Sequence, residues 1–114
     1  MKKIATILIV LVALVIISCE NTEGLKTEKF AVNGNCGMCK KTIEGSLDGV
    51  KGISTAEWNM NTDKMTVTFD PKVISLEDIH IKIAGVGYDT DKERATDAVY
   101  EKLHSCCQYD RKDI

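Results

Sequence analysis

Between Lys26 and Asp91 the hydrophobic pattern switches repeatedly between a two-residue and a four-residue period, and that succession leaves few folds open. From Lys26 to Val32, threonine, phenylalanine and valine alternate with polar residues, the period of a strand. Gly34 and Gly37 break it and leave a loop holding Asn35 and Cys36. From Met38 to Leu47 the residues Cys39, Ile43 and Leu47 recur at i, i+4 and i+8, one face of a helix that Asp48–Gly49 ends. Ala56, Trp58 and Met60 then alternate inward on a second strand, and Met65, Val67 and Phe69 on a third. Asn61–Thr62–Asp63 between them has the composition of a hairpin turn, and Asp70–Pro71 closes the third strand. Ser75 caps a second helix striped by Leu76, Ile79 and Ile83, with Gly85 near its end. Gly87–Tyr88–Asp89 leads into a short fourth strand.

The order β-α-β-β-α-β predicts an α+β, ferredoxin-like sandwich over residues 27–91, two helices covering one face of a four-stranded antiparallel sheet. At 114 residues the chain has room for one such domain. Residues 92–114 form a C-terminal extension. In it Ala95–Leu103 suits a third short helix, with Val99 and Leu103 on one side and Asp97 as its cap, followed by His104 and the pair Cys106–Cys107. His80 on the second helix and Lys40 and Lys41 on the first read as solvated surface residues.

Residues 1–19 stand apart from that domain. Lys2 and Lys3 precede an almost wholly apolar run from Ile4 to Ile17, which stops at Ser18–Cys19 and turns polar at Glu20. A basic start, an apolar stretch and a small residue before the cut make a secretory signal, and the run is short for the ~20 residues of a membrane-spanning helix. Ile16–Ile17–Ser18–Cys19 resembles the lipobox of bacterial lipoproteins. That resemblance implies an exported protein whose first mature residue, Cys19, is acylated and anchored to a bacterial membrane, on the periplasmic side or at the cell surface. The competing reading is an uncleaved anchor with an incidental cysteine. Residues 20–26 then serve as a tether.

Without the leader the chain has 13 basic and 17 acidic side chains, a net charge of about −4, which speaks against a nucleic-acid partner. Four of the five cysteines remain: Cys36, Cys39, Cys106 and Cys107. In an oxidising compartment, disulfides among them compete with every other use. Cys36-Gly37-Met38-Cys39, however, straddles a loop and a helix start, where free amide hydrogens and the helix dipole favour thiolates. Paired thiolates take soft ions rather than Mg(II) or Ca(II). A two-thiolate surface site suits Cu(I) or Hg(II) better than Zn(II), which favours four ligands. Haem attachment needs histidine after the second cysteine, and Lys40 stands there.

In this position the motif resembles that of the heavy-metal-associated domain family of copper chaperones, transport-ATPase modules and mercury-binding proteins. The resemblance also rests on Val32-Asn33-Gly34, Gly49-Val50, Trp58-Asn59-Met60, Val67-Thr68-Phe69-Asp70-Pro71, Ile79 and Gly87-Tyr88. It implies that Cys36 and Cys39 bind the metal, Cu(I) first and Hg(II) or Zn(II) as alternatives, with Tyr88 beside the site. It further implies a tethered metallochaperone or scavenger without catalytic residues, trading its ion with an efflux or uptake protein by thiolate exchange. The sequence departs from the family where Gly34 replaces the usual methionine, which leaves Met38 either as a weak thioether ligand or as ordinary packing. Cys106 and Cys107 lie outside the minimal domain. They either complete a three- or four-thiolate site, with His104 as an alternative donor, or pair with Cys36 or Cys39, or stay free. A thiol–disulfide redox protein using the same CxxC is the alternative function. Its usual fold order differs, and the chain's single proline, Pro71, ends a strand.

Overall fold

A computed structural model describes residues 24–111; the leader, Cys19 and the start of the tether lie outside them. Strands β1 (Lys26–Ala31), β2 (Ile53–Asn59) and β3 (Lys64–Phe69) form an antiparallel sheet in the order β1-β3-β2. Helices α1 (Gly37–Gly45) and α2 (Leu76–Ala84) cover one face of it, and a short α3 (Asp97–Glu101) and a 3₁₀ turn (Ser105–Cys107) follow. This is the expected ferredoxin-like arrangement, with its fourth strand reduced among the described residues to one bridge, Val32 to Thr90. The Asn33 amide donates to the Asp89 carbonyl at 2.9 Å, and the Asp91 amide donates to Ala31 at 3.1 Å.

Register sets the core. Met65 lies opposite Phe30 on one side and Trp58 on the other, so all three side chains share the helix-facing surface. Val67 and Phe69 continue that row, and Cys39, Ile43, Ile79 and Ile83 meet it from the helices and Leu47 from the turn after α1, all buried. Ser75 caps α2 as expected, its Oγ accepting from the Asp78 amide at 3.1 Å.

Four expectations change. Met60 lies past the end of β2 with nearly half its surface exposed. Asn59 Oδ1 accepts the amides of Asn61 and Thr62 at 2.9 and 3.2 Å and so starts the turn before Met60 can face inward. Helix α3 is shorter than expected and is capped by Thr96, whose Oγ1 accepts from the Val99 amide, while Asp97 is its first residue. Lys40 is not simply solvated: its Nζ donates to Glu44 Oε2 at 2.7 Å and to the Trp58 carbonyl at 2.8 Å.

His80 is buried, not exposed. It stands one residue after Ile79 and three before Ile83, on the inner flank of the α2 stripe. Its ring lies 4.1 Å from that of Phe30, and Nδ1 is 2.6 Å from Thr90 Oγ1. Its Nε2 has no hydrogen-bond partner among the described residues. Burial lowers the His80 pKa, and Lys92 acts the same way against the opposing carboxylates of Asp91 and Glu93. The unfolded chain therefore takes up a proton at His80 near pH 6.5 while the folded chain resists it. Stability should accordingly be complete above about pH 6.5 and fall below it by up to about 1.4 kcal/mol per pH unit. His80→Gln should flatten that decline in urea denaturation between pH 7 and 5.5, and an equal decline in both proteins would refute the assignment.

Candidate metal centre

The CxxC loop is shaped from beneath by Trp58. Its indole nitrogen donates to the Val32 carbonyl at 3.0 Å, and a Cβ on Gly34 would stand only 2.9 Å from the ring. Gly34 thus makes room for the tryptophan ring. Cys36 follows in extended conformation as the cap residue of α1, and its carbonyl accepts the Lys40 amide at 3.0 Å. The first-turn amides of Met38 and Cys39 are aimed at the Cys36 sulfur. Hydrogen bonds from Cys39 and then Met38 lower the Cys36 thiol to about 7, so thiolate is abundant at neutral pH. Lys40, held by Glu44, is not the source of that shift.

Cys36 is half-buried and Cys39 fully buried, their sulfurs 3.7 Å apart. Met38 leaves half its surface exposed at the helix start. Tyr88 is buried, and its hydroxyl has no hydrogen-bond partner of good geometry among the described residues. Burial, followed by the neighbouring Cys39 and Cys107 thiols, pushes its ionisation far above the usual range. The phenol therefore stays a proton donor facing sulfur.

The extension folds back over this loop. Cys107 is buried and Cys106 exposed, their sulfurs 3.9 Å apart. The sulfurs of Cys36, Cys106 and Cys107 all lie within 4.8 Å of one another. The Cys106 carbonyl also faces Cys36 Sγ at 3.8 Å and Asn35 Nδ2 at 3.4 Å. Burial, and then the Cys39 thiol, push Cys107 up to about 12. His104 stands exposed at the start of the 3₁₀ turn and does not join the sulfur cluster.

Residues that the sequence pattern does not single out hold the extension down. Arg111 donates through Nε to Asp89 Oδ2 at 2.9 Å and through Nη2 to Oδ1 at 2.8 Å, a bidentate pair around a fully buried carboxylate. Burial opposes charge on Asp89, but Arg111 and the Ala95 amide outweigh it and hold the carboxyl below its ordinary range. Arg111 also bonds Asp97 and lies over the Tyr100 ring at 4.7 Å. The Tyr109 hydroxyl donates to the Gly87 carbonyl at 2.9 Å and accepts from the Asp89 amide at 2.8 Å. Gly87, at φ 107, meets Leu103 where a Cβ would stand. The sequence carries one signal of this: Tyr109 and Arg111 follow the cysteine pair closely, an aromatic and a cation at the end of a polar tail.

Residues 29–89 match the heavy-metal-associated domain. The chain belongs to that family. Its HMA domain is 45% identical over 65 residues to the zinc-transporting ATPase of Synechocystis, an alignment covering 56% of this chain and 9% of the ATPase. The chain therefore spans only a small part of that relative. It is 29% identical to the copper chaperone CopZ of Staphylococcus aureus over 48% of this chain and 81% of CopZ. Among solved structures, oxidised MerP from Ralstonia metallidurans aligns with a TM-score of 0.56 at 26% identity, covering 59% of this chain and 94% of MerP. The fold and the metal-binding family are thus shared with copper chaperones and with modules of metal-transporting ATPases. The matched segment stops at residue 89, before the extension that carries Cys106, Cys107 and Arg111.

Arg111→Ala should leave the buried Asp89 carboxylate without its bidentate partner, with only the Ala95 amide and Arg94 at 3.9 Å beside it, a defect of up to about 3–5 kcal/mol that lifting the extension relieves. Alkylation of Cys107 should then speed up by tenfold or more, with exposed Cys106 as the internal control, as followed by peptide mass mapping. Unchanged protection of Cys107 would show that Arg111 does not hold the extension.

Proposed function

We propose that this protein binds Cu(I) through Cys36 and Cys39 and acts as a membrane-tethered metallochaperone or scavenger outside the cytoplasm. The observation that carries the reading is the sulfur pair 3.7 Å apart at the start of α1, one member half-exposed and inclined to ionise near neutral pH. Amide hydrogens stabilise the Cys36 thiolate before any ion arrives, and Cu(I) accepts two-sulfur coordination. A partner's thiolate can approach from the Cys36 side, because Cys39 is enclosed by the core. Transfer then proceeds by exchange of one sulfur for another, with no net redox change. Relatives described as copper chaperones and as a zinc-transporting ATPase favour a soft ion and a transporter as the exchange partner. Export and tethering rest on Ile16–Ile17–Ser18–Cys19.

Two experiments test this. Anaerobic Cu(I) titration of the reduced full-length chain in detergent, against a chromophoric chelator, should give tight binding that Cys36→Ser with Cys39→Ser abolishes while the far-ultraviolet spectrum is retained. Undiminished affinity in that variant would sink the assignment. In cells, labelled palmitate should enter the wild-type protein and not Cys19→Ala; equal incorporation would remove the lipid anchor.

A further inference from the structure

The sulfurs do not stop at the CxxC. Cys36, Cys106 and Cys107 form a triad within 4.8 Å. Cys39, 3.7 Å from Cys36, lies just outside it, beyond 4.8 Å from at least one of the two tail sulfurs, and would have to close that gap to join. In a tetrahedral zinc site with ~2.3 Å bonds, neighbouring sulfurs stand ~3.8 Å apart. The Cys36–Cys39 and Cys106–Cys107 pairs, at 3.7 and 3.9 Å, already have that spacing. The triad's remaining separations need to shorten by about an ångström at most. The extension that brings the second pair is held by named contacts: the Asp89–Arg111 pair, the Tyr109 hydroxyl on Gly87 and Asp89, and the Tyr100 hydroxyl on the Tyr109 carbonyl. A second observation points the same way. The Tyr88 hydroxyl, fully buried and unpartnered among the described residues, adjoins the Cys39 and Cys107 thiols, and a metal-bound thiolate there would accept a hydrogen bond from it.

We propose that Cys106 and Cys107 join Cys36 and Cys39 in one four-thiolate site that takes Zn(II) in tetrahedral coordination. This deepens the preceding reading, since it rests on the same CxxC. It adds a metal that two thiolates alone hold poorly. Binding releases the thiol protons and forms four metal–sulfur bonds, with no oxidant or reductant required. The extension thereby sets the metal range: two sulfurs suffice for Cu(I), whereas Zn(II) needs all four. An ion so enclosed leaves only when the extension lifts.

The test uses the reduced full-length chain in detergent, with Co(II) as the optical probe and Zn(II) as its competitor. The wild type should show tetrahedral cobalt bands and charge-transfer intensity of four thiolates, both removed by Zn(II). Cys106→Ser with Cys107→Ser should lose about half of that intensity and weaken Zn(II) binding by about a hundredfold or more. Its Cu(I) affinity should stay within a few-fold of wild type. Because Cys107 is buried, the single exposed variant Cys106→Ser, which should lose about a quarter of the intensity, guards against a folding defect. Unchanged cobalt intensity and Zn(II) affinity in both tail variants would overturn the proposal while leaving Cu(I) binding at Cys36 and Cys39 standing. Loss of Cu(I) binding confined to the Cys36/Cys39 variant, beside Zn(II) binding that ignores the tail, would overturn it equally. Conversely, Cu(I) binding that survives loss of Cys36 and Cys39 would strike the earlier reading instead.

Discussion

The indole of Trp58 is the piece on which the metal loop rests. Its N–H donates to the Val32 carbonyl, its ring occupies the volume beside Gly34, and its own backbone is tied to α1 through Glu44 and Lys40. Three segments distant in sequence, the end of β1, the first helix and the later part of β2, therefore meet on one side chain. A buried tryptophan contributes both a large apolar surface and one polar group that must be satisfied, so it accepts few alternative poses. That rigidity passes to Asn33–Cys36 and fixes where α1 begins. Where the helix begins decides which amides face Cys36, and hence how readily that thiol ionises.

A second constraint acts at the opposite rim of the loop. Asp89 and Arg111 form a buried ion pair, and such pairs rarely add net stability, because desolvation consumes most of their attraction. Their usefulness lies in geometry. A bidentate guanidinium accepts one orientation of its carboxylate, so the segment carrying Arg111 returns to one place on the domain rather than to several. Stacking of Tyr109 on Tyr88 at 5.8 Å, and the edge contact of Tyr100 with Tyr109 at 5.1 Å, fill the space between.

Much of this is legible in the sequence where a repeating period carries the information. Met65, Val67 and Phe69 read as an inward row and are one, and Ser75 is recognisable as a cap from its place before an apolar stripe. The CxxC stands out because its spacing is itself chemical. What the pattern does not carry depends on single tertiary contacts. His80 is polar by type, and only its neighbours Phe30 and Thr90 make burial tolerable. Lys40 reads as a surface charge because its carbonyl acceptor lies on β2, eighteen residues away. The fate of the second cysteine pair depends on Asp89 finding Arg111 across 22 residues with no periodicity to announce it.

The distance along the chain between Cys36 and Cys106, seventy residues, has a consequence for how the molecule comes into being. Contacts so remote in sequence close late, because the loop entropy they cost is offset only once the intervening strands and helices have formed. The first pair of sulfurs is assembled by a local turn and a helix start; the second is seated only through the distant pairing of Arg111 with Asp89. A two-sulfur mouth is thus the product of one turn and one helix start, whereas its cover is the product of the whole fold.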